Sequence, residues 1–257
     1  MKRFDVTAVV TAHREGLLLK PALDSVELCV KDAECKGISV QTVISLDRPN
    51  ELTCSIAERY CNSHSNVSII FPDAGDLGIS RNVAVEAAAG NYVAFLDGDD
   101  LWGGNWLSTA FTTAETERRA LVLHPEVNVY FGRHNHVFLH VDMEANHFNI
   151  AGLAITNYWT SLCFAPKKLL VQCPYPASNL KQQIGFEDWG WNLSVLSAGV
   201  IHKVVPGTGH AIRMKRNASL LSETSSAGCM PRSSDFFVKT LQNMSRRPLS
   251  RLRIVGT

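Results

Sequence analysis

No apolar run in this 257-residue chain approaches the roughly 18 residues that a helix needs to cross a bilayer, so nothing in it reads as a membrane span. Cys-x-x-Cys pairs are missing as well. The seven cysteines are scattered and odd in number, which argues against both a zinc ribbon and a disulfide framework. Free thiols in a reducing compartment are the plainer reading. The opening Met1-Lys2-Arg3-Phe4-Asp5 lacks the continuous apolar core of a signal peptide, so a cytoplasmic location is expected. The Asn-x-Ser triplets at Asn66, Asn192, Asn217 and Asn243 are then chance matches. Internal repeats and low-complexity tracts are absent, and 46% hydrophobic residues exclude general disorder. Acids are absent from residue 239 onward. That stretch carries Lys239, Arg246, Arg247, Arg251 and Arg253, leaving the first 238 residues with 20 basic against 24 acidic groups. A basic tail on an acidic body points to peripheral contact with an anionic surface, or else to a solvated terminal helix or linker stub. Nucleic acid is not among the expected partners.

What is present is a β-α alternation over the first hundred residues, the signature of a parallel sheet with crossover helices. Strands are expected at 4–10, 40–46, 67–71 and 92–96. Leu19, Leu23, Val26 and Val30 recur at helical spacing, as do Leu52, Ile56 and Tyr60. Residues 80–89 read as a third helix ended by Gly90. Beyond Trp102 the alternation breaks down. A helix is expected at 105–118, a strand at 120–131 around Pro125, and a polar, histidine-rich loop at 132–149. Strand, turn and helix follow at 161–170, a helix within 184–199 stopped by Gly199, a short strand at 200–205, and a terminal helix after Pro231. One domain over 1–230 with a basic helix or tail over 231–257 is the expected organisation.

The fourth strand runs into Asp97-Gly98-Asp99-Asp100. Open parallel sheets bind ligands at the carboxyl ends of their strands, and Asp47 and Asp97 both fall at such ends. Two carboxylates two residues apart on a turn can converge on a hard cation, Mg2+ or Mn2+, of the kind that bridges the phosphates of a nucleotide diphosphate. An acidic surface turn is the bland alternative. A second acidic cluster, Gly185-Phe186-Glu187-Asp188-Trp189-Gly190-Trp191, opens a helix. Trp189 and Trp191 suit contact with sugar rings and can desolvate a carboxylate, which raises its pKa and makes it a better base. Favourable N-terminal charge with core tryptophans is the competing reading.

In order along the chain, Val9-Val10-Thr11-Ala12-His13-Arg14-Glu15, Ile44-Ser45-Leu46-Asp47, Gly78-Ile79-Ser80-Arg81-Asn82, Phe95-Leu96-Asp97-Gly98-Asp99-Asp100, Glu187-Asp188, and Arg213 with Ser219-Leu220-Leu221-Ser222 form a set. This set resembles the family 2 glycosyltransferases across residues 5–222, with His13-Arg14 where the family often has Tyr-Asn. The resemblance implies an α/β GT-A fold: a Rossmann-like, mostly parallel central sheet flanked by helices, in a single domain with a C-terminal helix. It implies an inverting enzyme that moves a sugar from a nucleotide-diphosphate-sugar to an acceptor hydroxyl. Ala12, His13, Glu15, Asp47, Arg81, Asp97 and Gly98 would then bind the donor. Asp99, with Asp97 and His210, would hold Mn2+ or Mg2+. Asp188 would be the catalytic base beside Glu187, and Trp189 and Trp191 would meet the acceptor. A glycan or lipid-linked glycan is the implied acceptor, in a setting such as bacterial polysaccharide assembly.

His134, His136, His140 and His147 have spacings that suit neither a helical metal site nor a zinc finger, and an acceptor-side loop is expected there. A sugar-phosphate nucleotidylyltransferase would need a glycine-rich basic loop after the first strand, which Thr11-Ala12-His13-Arg14-Glu15-Gly16 does not provide. A haloacid-dehalogenase-type phosphatase carries its Asp-x-Asp on the first strand, not the fourth. A nucleotide-sugar-binding module without catalysis would lack the intact Glu187-Asp188.

Overall fold

Alternating apolar residues that must be covered on both faces force the first half of the chain into three layers. The computed structural model describes residues 3–215 and 220–232. Strand β1 (Phe4–Ala12) points Val6, Ala8 and Val10 to one side and Val9 to the other, and all four are fully buried. Helices α1 (Leu19–Cys35) and α2 (Glu51–Ser63) cover the first side, joined by α4 (Trp106–Glu117). Helices α3 (Leu77–Ala87), α5 (Lys167–Gln172) and α6 (Glu187–Ser197) cover the second. Leu19, Leu23 and Val26 form the buried stripe of α1, each contributing about 1.5–3 kcal/mol by leaving water.

The parallel part of the sheet comprises β1, β2 (Val40–Leu46), β3 (Val67–Ile70) and β4 (Gly90–Asp97), in the order β3-β2-β1-β4. The chain leaves β1 for β2 and β3 on one side and returns as β4 on the other, so a crevice opens at the carboxyl end of β1. Register fixes what lines it: Thr11 pairs with Ser45 on one side and with Asp97 on the other. The amide of Asp47 donates to the Ala12 carbonyl at 2.8 Å, and that of Gly98 to the Thr11 carbonyl at 2.7 Å. Gly98 permits this approach, because a Cβ there would lie 2.9 Å from that of Ala12.

Beyond β4 the sheet continues through β8 (Phe164–Pro166), β6 (Leu121–Gly132), β9 (Ile201–Met214) and β5 (Leu101–Trp102), with β7 (His136–Leu139) paired to β6. Strands β4 and β8 are antiparallel, whereas β6 and β9 form a long parallel pair with a register shift between Pro125 and Val127. A further helix, α7, spans Leu220–Ser226.

The four leading strands and the helices between them match expectation, and Gly199 does end α6 with φ +77°. Three assignments need correction. Gly90 does not cap α3, which ends at Ala87; it opens β4, where a Cβ would meet the Thr7 amide nitrogen at 2.5 Å. The short strand expected at 200–205 is β9, fourteen residues long, because Gly207-Thr208-Gly209 continues as strand along β6. The histidine-rich stretch contains β7, and His140 leaves it for the interior. The expected helix after Pro231 lies almost wholly outside the described residues.

Candidate active site

Asp97 and the Glu187-Asp188 pair come together around one buried guanidinium. Arg81 projects from α3 and is fully buried. Its Nη2 donates to Asp97 Oδ1 at 2.8 Å, and its Nη1 donates to Glu187 Oε1 at 2.9 Å. Burial works against its charge, but the Asp97 and Glu187 carboxylates more than offset this and hold its pKa above the ordinary value. The Tyr175 ring lies 5.4 Å from the same guanidinium carbon. Arg81 therefore ties the end of β4 to the start of α6 and brings the two acidic clusters together.

Thr11 also donates to Asp97 Oδ1, at 2.8 Å, which leaves Oδ2 for another partner. Asp99 pairs with Lys215 at 2.9 Å, and its carbonyl accepts from Arg213 Nε at 3.1 Å. Burial raises the Asp99 pKa, and Lys215 pulls it back. Asp100 is buried and accepts from the Arg213 amide at 2.7 Å; burial, then Asp99 and Asp97, push its pKa well up. Asp100 thus anchors the turn to β9 while Asp97 and Asp99 face the crevice.

Asp188 is held through both oxygens. Oδ1 accepts from the Trp189 amide at 2.8 Å, and Oδ2 accepts from Asn157 Nδ2 at 3.1 Å. Burial first, then the neighbouring Glu187, raises its pKa to about 7, with Arg81 acting in the opposite direction. A carboxylate poised there exchanges a proton readily near neutrality. Glu187, by contrast, is buried and committed to Arg81.

At the other side of the crevice, the Asp47 carboxylate accepts from the Gly75 amide at 3.1 Å and from Ser80 Oγ at 2.9 Å. His13 is exposed and turns Nδ1 to the Asp47 carbonyl. A carbonyl only accepts, so Nδ1 donates a proton there and Nε2 is the ring nitrogen left for another partner. The His13 amide donates to Glu15, whose pKa burial raises, and Lys215 lies 3.8 Å from the same carboxylate. Ala12 is buried under Gly98.

Two expected members are not in the crevice. His210 lies in the core at 3% exposure, its ring 4.8 Å from that of Trp106, and burial lowers its pKa to about 3. The physical reason is the continuation of β9, which turns this side chain toward α4. Trp191 is also a core residue, stacked on Tyr175 at 4.8 Å with its indole N–H on the Cys173 carbonyl. Half-buried Trp189, whose indole donates to the Leu153 carbonyl at 3.0 Å, remains beside Asp188.

Among the described residues no three His, Cys, Asp or Glu side chains converge as a ready-made metal cage. A magnesium-like ion that arrives with phosphates needs only one or two carboxylates. Asp97 and Asp99 fit that role: they offer hard oxygens, and Asp99 already holds one cation, the Lys215 ammonium.

The sequence model described as "Glycosyl transferase family 2" matches residues 7–169, more than half of the chain. The chain belongs to glycosyl transferase family 2. It is 33% identical over 94 residues to the succinoglycan biosynthesis protein ExoM of Rhizobium meliloti (strain 1021), a match covering 37% of this chain and 26% of that protein. It is 26% identical over 109 residues to the cholesterol galactosyltransferase of Borreliella burgdorferi, covering 42% and 30% respectively. The matched part thus spans under a third of these relatives. S. aureus TarS 1-349 in complex with UDP-GlcNAc superposes with a TM-score of 0.68 at 17% identity, covering 85% of this chain and 61% of that one. The fold is GT-A.

Within this family 2 chain, sequence reading missed Lys215, Asn157 and the bridging role of Arg81. Lys215 and Asn157 stand outside every motif. The resemblance implied a donor-binding Arg81, but its full burial was not legible.

Proposed function

We propose that the protein is an inverting, metal-dependent glycosyltransferase that moves a sugar from a nucleotide diphosphate to an acceptor hydroxyl, with Asp188 as base. The observation that carries this reading is the Arg81 bridge, which joins Asp97 of the Asp97-Asp99 turn to Glu187, the neighbour of Asp188. The donor nucleotide would lie along His13, Glu15 and Asp47, and its sugar would sit between Asp97 and Asp188. That TarS was solved with UDP-GlcNAc and with UDP supports a nucleotide donor in this fold.

Asp188 would accept the acceptor's hydroxyl proton as that oxygen bonds to the anomeric carbon. The carbon–oxygen bond to the diphosphate breaks in line, and the electron pair leaves with the nucleoside diphosphate. Asp97 and Asp99 would hold the divalent ion, which when bound neutralises charge on that leaving group. Arg81 holds Glu187 and Asp97 in place through its two ion pairs, so that the crevice needs little reorganisation. A glycan acceptor, as the name of the succinoglycan relative brings to mind, is part of the proposal, as is contact of the basic tail with an anionic membrane; residues 233–257 lie outside the described structure. No described helix is long and apolar enough to cross a membrane.

The test is a panel of nucleotide sugars with Mn2+, read as nucleoside diphosphate release. Asp188→Asn is expected to lower turnover by about 10²–10⁴ while nucleotide binding persists. Full turnover in that variant rules Asp188 out as the base.

A further inference from the structure

We propose that Asn157 is a positioning residue that aims the Asp188 carboxylate, its own amide locked by Asn192 in the one orientation that presents an N–H to Oδ2. The inference rests on the reading of Asp188 as base.

The lock can be followed from the backbone outward. The Trp159 carbonyl can only accept, and Asn192 Nδ2 donates to it at 3.3 Å. That fixes which end of the Asn192 amide is nitrogen. The same Nδ2 donates to Asn157 Oδ1 at 3.0 Å, and the Trp159 amide reaches that oxygen at 3.4 Å. Asn157 must therefore turn Nδ2 to Asp188 Oδ2, where it lies at 3.1 Å. A flip of Asn157 would set donor against donor and acceptor against acceptor at once. Asn192 is 1% exposed, so solvent does not replace these partners. Trp159, also 1% exposed, is stacked on His202 at 4.0 Å and donates its indole N–H to the Val141 carbonyl at 2.7 Å. The relay is thus seated in rigid packing.

The effect on Asp188 follows. Its Oδ1 is held by the amide of the next residue, which alone leaves the carboxyl plane free to swing. The second donor, from a different segment, fixes that plane. It also favours the charged form, since it can donate to a carboxylate oxygen but accepts nothing from a protonated one. The other ionisable groups acting on Asp188 are Glu187 on its own helix, Arg81 from α3, Asp97 from β4, Tyr130 from β6, and Tyr175 and Cys163 behind it. None of them is a hydrogen-bond partner of Asn157.

The experiment is a carbon-13 NMR titration of the Asp188 carboxyl in the full chain, the resonance being assigned by its loss in Asp188→Asn. Asn157→Ala and the isosteric Asn157→Asp are compared with wild type. The titration midpoint is expected to move up by about one pH unit in Asn157→Ala, a tenfold change in proton affinity. It is expected to move further in Asn157→Asp, where two carboxyl groups face each other. Asn157→Asp keeps the shape of the site, so it reports even if Asn157→Ala does not fold. An unmoved midpoint in a folded Asn157→Asp overturns the proposal. Failure of the underlying reading looks different: Asp188→Asn would then retain full nucleoside diphosphate release, whatever the titration shows.

Discussion

Lys215 is the residue whose chemistry most constrains how the site is filled. Its ammonium sits 2.9 Å from Asp99, where a divalent ion would have to approach. Two like charges about 4 Å apart repel by about 1–4 kcal/mol between water and a partly buried site. Lys215→Met is therefore expected to tighten Mn2+ binding to the free protein by about tenfold, as read by titration calorimetry or Mn2+ magnetic resonance. Unchanged affinity would separate Asp99 from the metal. Asp188 sets a second expectation. Its pKa is raised to about 7, and a base works only when ionised, so kcat/KM should climb as pH rises through about 7 and level off above it. A profile flat from pH 5 to 9 contradicts that assignment.

At the scale of elements, the site depends on how α3 begins. Asp76 caps it by accepting from the Ile79 amide at 2.9 Å, and its other oxygen accepts from the Ser178 amide at 2.9 Å. One carboxylate thus sets the entry of the helix that carries Arg81 and pins the segment leading to α6. Asp76→Ala is expected to cost about 1–2 kcal/mol in denaturant unfolding, the usual loss for a cap. Elements of this kind show how far the sequence could be read. The β-α units up to Asp97 were legible because each strand is apolar and each helix has its stripe, as with Leu19, Leu23 and Val26. The second half was less legible. Strand β9 passes through two glycines, and its pairing partner β6 lies some eighty residues earlier, so nothing local marks it as continuous. His210 and Trp191 were misassigned for the same reason: composition names a side chain, and only the pleat or helix face decides which way it points.

For the molecule as a whole, buried imidazoles make stability depend on pH. His124, His202 and His140 lie together with Trp159, and His210 lies against Trp106. Burial lowers the pKa of each, to about 4 for His140 and about 3 for His202 and His210. A histidine with a depressed folded pKa contributes stability that is present above its unfolded value of about 6.5 and is lost as pH falls below it. The raised carboxyl groups of Asp99, Asp100 and Asp188 work in the opposite sense, so a single-site difference is the clean measurement. Relative to wild type, His210→Phe should gain about 1.4 kcal/mol of unfolding free energy for each pH unit below about 6, toward about 3. A pH-independent difference would mean that this ring is not held neutral.

The Arg81–Glu187 contact joins residues 106 apart in sequence, whereas the family match ends at residue 169. A polypeptide stopped near residue 170 would keep every recognisable motif up to Asp99, yet its guanidinium would have lost half of its counter-charge. Losing one partner of a buried ion pair costs about 3–5 kcal/mol, a large fraction of the roughly 5–15 kcal/mol that keeps a protein folded. The shortest fragment that resists protease should therefore extend past α6, and a ribosome-bound chain should gain that resistance only after Glu187 has emerged.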